Sequence, residues 1–371
     1  MRPDVVVIGG GIAGVSAAFF LTEAGMRVVL VEAEQQLAHH STGRSAAVFF
    51  ENYGAPPNRP LTFLSKPFLE NPPMSDRGFL SERGAMWIAR EDQLGHLTDI
   101  AAEGRASGSS NSKLAPEEAR AIVPVLKREY LAAALLETDA FDIDVAGLHQ
   151  EFVRGTRRKG GKILTSAPVE SLERRGDEWH LVCGAQEITC DVVVNAAGAW
   201  ADIVAGRGGV DGIGLQPRRR TAFMVAGRPE WKDWPLVVDT DHDFYFKPDG
   251  VQLLCSPADE TPTAPCDARG EEIDIALAIE RINQATDLAI RSVRSSWAGL
   301  RNFVSDEALV IGFDPDVPGF FWLAGQGGTG IQTSPAAGRL TAALINETLP
   351  KDMIEAGVDV EALSPHRLRR P

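Results

Sequence analysis

Gly9, Gly11 and Gly14 stand at the spacing that lets a backbone close on a phosphate, and Glu32 stands where a carboxylate can hold ribose hydroxyls. Gly9 permits a tight turn off a strand, Gly11 has no Cβ to hold a pyrophosphate away, and Gly14 lets a helix lie close on a sheet. A helix N-terminus then adds free N–H groups and partial positive charge. Glu32 would repel a 2′-phosphate, which argues against an NADP-type ligand. A second chemistry lies in the arginines. Arg301 sits in an apolar, aromatic stretch between Trp297 and Phe303, a setting that suits a ligand anchor better than a surface charge. In Arg218-Arg219-Arg220, strand alternation puts Arg218 and Arg220 on one face; the run is either a pocket cation or an exposed strand edge. Tyr245 lies between Phe244 and Phe246 and points opposite to both, into core or pocket. Tyr53 alone is a loop aromatic. His39 and His40 raise a metal or a covalent attachment, but no carboxylate–histidine spacing around them supports a metal, and a loop solvent contact is the simpler reading. No metal is expected.

These residues need elements to position them. Asp4 to Ile8 reads as a buried strand, Val15 to Ala24 as a helix, and Val28 to Val31 as a second strand ending on Glu32, so the glycines belong to a whole βαβ unit. Asp191 to Asn195 runs into Ala196-Ala197-Gly198-Ala199-Trp200, a second strand-to-helix turn of small residues. Gly319 to Ala324 runs into Gly325-Gln326-Gly327-Gly328-Thr329-Gly330, a third, followed by a helix over Ile331 to Asn346. One extended ligand gripped at all three turns is the simplest account. FAD fits this better than NAD, because its isoalloxazine end lies far from its adenine end. No second GxGxxG is present for a nicotinamide.

Elsewhere, Leu80 to Ala89 reads as a strand, and Gln93 to Ala106, Ala115 to Val123 and Glu271 to Leu288 as helices. Val145 to Lys159 is an amphipathic helix with Val145, Leu148, His149, Phe152 and Val153 on one face, stopped by Gly160-Gly161. Strands are predicted at Lys162 to Thr165, Glu178 to Val182, Thr221 to Ala226, Leu236 to Val238, Phe244 to Lys247 and Gln252 to Cys255. Gly104 to Ser112 and Asp259 to Gly270 read as mobile surface loops. The chain has 371 residues and a net charge of -14. That charge disfavours nucleic acid and anionic membrane as partners. Cys183, Cys190, Cys255 and Cys266 form no CxxC pair, no signal peptide is evident, and no apolar run of about 18 residues could span a bilayer. A cytoplasmic protein without disulfides is expected.

The βαβ start, His40-Ser41-Thr42-Gly43-Arg44-Ser45-Ala46-Ala47, the Val193 to Trp200 segment and Gly325 to Gln332 together resemble the D-amino-acid oxidase-like superfamily of FAD enzymes. Within it the chain is most similar to bacterial FAD-dependent D-arginine dehydrogenases, through Leu215 to Arg220, Phe244 to Pro248, Trp297 to Phe303 and Leu363 to Arg367. The resemblance implies an α/β (α+β) fold: a glutathione-reductase-like Rossmann FAD domain over 1–78, 140–213 and 305–371, and a discontinuous mixed-sheet substrate domain over 79–139 and 214–304. It implies FAD held without a covalent bond. The contacts expected to it are Gly9, Gly11, Ile12, Ala13 and Gly14, then Glu32 and Ala33, then Ser41, Thr42, Arg44, Ser45, Ala46 and Ala47. Val169, Ala197, Gly198 and Trp200 follow, and last Gly327, Gly328, Thr329, Gly330, Ile331, Gln332 and Thr333. It also implies oxidation of a D-amino acid to the imine, with Arg301 and Arg220 on the substrate carboxylate, Tyr245 and Tyr53 orienting it, and the Gly328 carbonyl facing its amine.

Three pocket positions depart from the arginine enzyme: Val48 replaces a histidine, Phe50 a threonine, and Ala85 the glutamate that reads the guanidinium. Burying a cation without that carboxylate is costly, so a neutral hydrophobic or aromatic D-amino acid is the expected substrate. An oxygen-using oxidase of glycine, sarcosine or an opine-type secondary amine, and a flavin subunit of a larger complex, are the alternatives. The electron acceptor, whether quinone, soluble carrier or oxygen, is unread in the sequence.

Overall fold

Val5–Ile8 is a run of four β-branched residues, all buried. Such a strand belongs in the middle of a parallel sheet covered on both faces. The computed structural model, which describes every residue except 52, 107, 370 and 371, places it there. The six-stranded sheet runs Val310–Phe313, Phe320–Ala324, Val192–Asn195, Val5–Ile8, Val28–Val31 and Lys162–Leu164, parallel except for its first pair. Ile8 pairs with Asn195, and Asn195 with Trp322. The three small-residue turns therefore leave the same end of adjacent strands, which is where an open α/β sheet binds its ligand.

The helix Ile12–Glu23 is apolar nearly all round and accordingly buried, packed between the helices Gly330–Ile345 and Val145–Arg158. Val145–Arg158 keeps Leu148, His149, Phe152 and Val153 inside, as its periodicity predicts, while Val145, at the first turn, is only half-buried.

The second large sheet has nine strands. At one end Gln216–Ala226 pairs antiparallel with Ser295–Phe303, register Arg218 to Arg301 and Arg220 to Gly299. Residues directly opposite in a ladder share a face, so Arg218, Arg220 and Arg301 lie on one face and Arg219 on the other. Arg219 there meets Asp259, Glu271 and Asp274. Toward the other end run Leu236–Asp239, Ala85–Ala89, Ala133–Glu137 and Asn111–Leu114.

Several expectations need correction. Leu80 to Ala89 is two strands in two sheets. Gly84, at φ +69°, turns the chain out of a small sheet containing Leu80–Glu82 and into the nine-stranded one. Gly104 to Ser112 is no free loop, because the helix Leu94–Ala106 runs into it and Asn111–Leu114 pairs with Ala133–Glu137. Asp259 to Gly270 lacks long elements but is tied down: the side chain of Asp259 is covered, accepting the Thr221 N–H at 2.6 Å and meeting Arg219. The helix Arg59–Glu70 was hidden by Pro60 and Pro67; a proline in the first turn costs no hydrogen bond. Among the described residues no helix is long and apolar enough to cross a membrane.

Candidate active site at the meeting of two cavities

The three turns enclose a cavity of about 440 Å³. Gly9, Gly11, Ile12 and Ala13 line it with Glu32, Ala33, Ser41, Thr42, Arg44, Ser45 and Ala46, and the opposite wall is Val169, Ala197, Gly198, Trp200, Gly327, Gly328, Gly330 and Ile331. The cradle fits a dinucleotide. Gly9 has φ +111°, and a Cβ there would meet the Ala196 carbonyl oxygen at 2.4 Å. Only a bare backbone lets the two turns touch.

Some expected contacts serve the cradle without lining it. Gly14 sits behind it: a Cβ would lie 1.9 Å from the Gly9 carbonyl oxygen, so this glycine lets the helix start directly on the turn. Thr329 and Thr333 are buried and bond each other across the first turn of the last long helix. Ala47 and Gln332 line the neighbouring cavity instead. The Gln332 amide pairs with both the N–H and the carbonyl of Phe50, each at 3.0 Å, and so fixes that backbone. The Glu32 carboxylate is held by the N–H groups of Gly10 at 2.6 Å and Glu34 at 2.9 Å, which aims it along the cradle wall. Arg44 points away, bonding the carbonyls of Ala268 and Ala298 and pairing with Asp267. With Ser41 bonding Leu300 and Trp297 bonding Arg44, it welds the cradle to the strand that carries Arg301.

His40 does have a carboxylate beside it, contrary to expectation. Ala38, at φ +58°, folds the segment back so that His40 Nε2 lies 3.0 Å from Glu34 Oε1, with the ring packed on Trp200. Glu34, His39 and His40 are the one group among the described residues whose ligand atoms cluster as a metal site would require. None of the four cysteines lines the cradle.

A second cavity, of about 410 Å³, opens beside the first. Ser45, Ala46, Arg220, Tyr245, Arg301, Gly328 and Ile331 line both. Arg301 Nη1 donates to the Tyr53 hydroxyl at 3.1 Å. A Cβ on Gly328 would sit 2.8 Å from that hydroxyl and 3.1 Å from the guanidinium, so the Gly328 backbone faces both. Tyr245 turns to the cavities while Phe244 and Phe246 stack in the core behind it. Arg220 pairs with Glu260 at 2.5 Å, and its Nε is buried without a partner. Burial and the facing Arg301 charge hold the Arg220 guanidinium below its ordinary range. Two guanidiniums so placed favour an incoming carboxylate, which relieves their repulsion and supplies acceptors. Glu260 carried no sequence signal, since it lies in a segment read as loop.

Val48 and Phe50 line this second cavity with Trp87, Leu236 and Val238, an apolar belt beside the arginines. Ala85 does not line it; it is fully buried behind the belt. The cavity is not apolar throughout. The ladder partner of Ala85 is Glu137, on a strand the sequence reading missed, and Glu137 lines the cavity with Asp99, Glu103 and Asp139. Glu137 is 8% exposed, accepts the Trp87 indole N–H at 3.0 Å, and has no ion-pair partner among the described residues. Burial pushes its carboxyl up.

Residues 4–344 match the family model described as FAD dependent oxidoreductase. The bovine FAD-dependent oxidoreductase domain-containing protein 1 is 26% identical over 93% of this chain and 82% of its own length. Human mitochondrial sarcosine dehydrogenase is 23% identical over 94% of this chain but only 40% of its own length. Among solved structures, L-proline dehydrogenase from P. horikoshii superposes with a TM-score of 0.86 at 22% identity, covering 100% of this chain and 98% of that one. Glycine oxidase from Geobacillus kaustophilus superposes at 0.85, also 22% identical, covering 98% of each chain. Special closeness to D-arginine dehydrogenases is not among these similarities. With the βαβ cradle, the three converging turns and a match over most of its length, the chain belongs to the FAD dependent oxidoreductase family.

Proposed function

We propose that this protein is an FAD-dependent D-amino-acid dehydrogenase that oxidises a carboxylate-bearing amine at its α-carbon. Bound FAD supplies the hydride acceptor; the chain supplies position. In this reading Arg301 and Arg220 hold the carboxylate, Tyr53 and Tyr245 orient it, and the Gly328 carbonyl receives the amine. The amine must be neutral before hydride leaves, so turnover rises with pH as the bound ammonium loses its proton. The observation that carries the reading is the single cluster of Arg220, Arg301, Tyr245 and Gly328 lining both cavities. The spans 1–78, 140–213 and 305–371 carry the cofactor, and 79–139 and 214–304 the substrate, in the cytoplasm.

The belt of Val48, Phe50, Leu236 and Val238 supports a hydrophobic or aromatic side chain on the substrate. Glu137 favours a second reading, in which a long side chain crosses the belt and ends in a cation that neutralises the buried carboxyl. Relatives such as sarcosine dehydrogenase support N-methyl amines as further candidates. Anaerobic bleaching of the bound flavin by D- and L-amino acids and N-methyl amines tests all of these. Fast bleaching by D-phenylalanine or D-leucine is expected. Bleaching by D-arginine or D-lysine alone would replace the first reading with the second, and bleaching only by L-amino acids or sarcosine would overturn the stereochemical part. Peroxide release under air would mark the enzyme as an oxidase; its absence leaves a quinone or soluble carrier as acceptor.

A further inference from the structure

The glycine turn has a weak point at the peptide joining Gly10 and Gly11. Neither residue carries a Cβ, so rotation of that peptide meets little steric resistance. In a trans peptide the carbonyl and the N–H point in opposite directions. Whatever holds the Gly10 carbonyl on one side therefore aims the Gly11 N–H on the other, where Gly11 lines the cradle. A turn left free to flip would present a carbonyl oxygen to the cofactor's phosphates instead of a donor.

Two groups hold the carbonyl. The Ala38 N–H donates to it at 3.1 Å, and His149 Nε2 lies 3.0 Å from it. A carbonyl can only accept, so the proton of His149 is on Nε2. His149 is 3% exposed, on the inner face of Val145–Arg158, far along the chain from the glycines. Burial keeps the ring below the ordinary imidazole range, hence neutral, and a neutral ring has one donor to spend. The Gly10 N–H, on the preceding peptide, is held separately by Glu32 at 2.6 Å. The Gly9–Gly10 and Gly10–Gly11 peptide planes thus each have a side-chain clamp, and the two clamps come from different elements.

We infer that His149 is a positioning residue for FAD, pinning the Gly10–Gly11 peptide so that the Gly11 N–H faces the pyrophosphate. It touches the turn from behind and takes no part in the oxidation. The test uses the reach of the side chain. A glutamine amide can donate from about where Nε2 sits; an asparagine amide stops near the position of Nδ1. The holoenzymes of His149→Gln, His149→Asn and His149→Leu are diluted, and FAD release is followed by the rise in flavin fluorescence, with thermal unfolding measured in parallel. Release from the Asn and Leu variants is expected to quicken roughly ten-fold, the scale of one lost buried hydrogen bond, while the Gln variant stays within about two-fold of the parent. Equal release rates from the Asn and Gln variants would overturn the inference, as would parent-like release from Leu. If Leu does not fold, the Asn–Gln comparison alone decides.

Discussion

The two cavities are built by opposite means. The cradle is walled largely by turn backbone: Gly9, Gly11 and Gly198 make room where three strands end, and Glu32 reaches in from the end of its own strand. The second cavity is walled by side chains on separate strands and loops: Arg220 and Arg301 from a paired ladder, Tyr53 from a loop, Trp87 and Glu137 from neighbouring strands. Backbone recognition needs particular residues at short spacing, and spacing is what a sequence displays. Side-chain recognition needs register between distant strands, which a sequence does not display.

That contrast predicts different failures on the two sides. The largest effect belongs to Gly14→Ala. The added methyl would lie 1.9 Å from the Gly9 carbonyl oxygen, so the helix must move off the turn. The purified variant is expected to be colourless and to take up no added FAD; a yellow variant would show that the cradle tolerates displacement. A smaller effect belongs to Tyr53→Phe. It removes the acceptor of Arg301 and leaves the cradle untouched. We expect kcat/KM to fall about five- to ten-fold, the scale of one hydrogen bond, with flavin content unchanged. Loss of flavin in this variant would blur the division between the two cavities.

The smallest effect is on stability, at Glu137. Its carboxyl is raised in the folded chain, so the native state binds its proton more tightly than the unfolded state. The stability tied to that proton is fully present below the unfolded pKa of about 4.5 and is lost as pH rises through the folded value. Glu137→Gln should therefore raise Tm near neutrality and flatten its decline with rising pH from the ordinary carboxylate range upward. An unchanged Tm–pH curve would mean the carboxyl is better satisfied than its surroundings indicate. A cationic ligand that raises the parent's Tm but not the variant's would favour the second substrate reading.

Legibility followed the same division. The βαβ unit and the two later turns were readable because each is local, and the register of Ile8, Asn195 and Trp322 brings them together as one long ligand demands. Arg301 was readable as an anchor because apolar and aromatic neighbours surround it, yet its strand, Ser295–Phe303, was not recognised. Serine, glycine, arginine and asparagine break the alternation there. Glu137 was unreadable: nothing local says that its ladder partner is Ala85, so the loss of a carboxylate at one position gave no hint of another directly across. The division of roles in Ser41-Thr42-Gly43-Arg44 was equally hidden, since Arg44 lines the cradle yet sends its guanidinium to the carbonyls of Ala298, on the other sheet, and Ala268, in the segment beside it.

The central claim is that amine oxidation occurs where the cavities join, with Arg301 fixing the substrate beside the flavin. Stopped-flow anaerobic reduction of Arg301→Met by the best amino acid of the panel tests it most directly. The account predicts a variant that binds FAD as the parent does but is reduced at least about 10³-fold more slowly at sub-saturating substrate, the loss of a buried bidentate contact. Reduction at the parent's rate with full flavin content would contradict it.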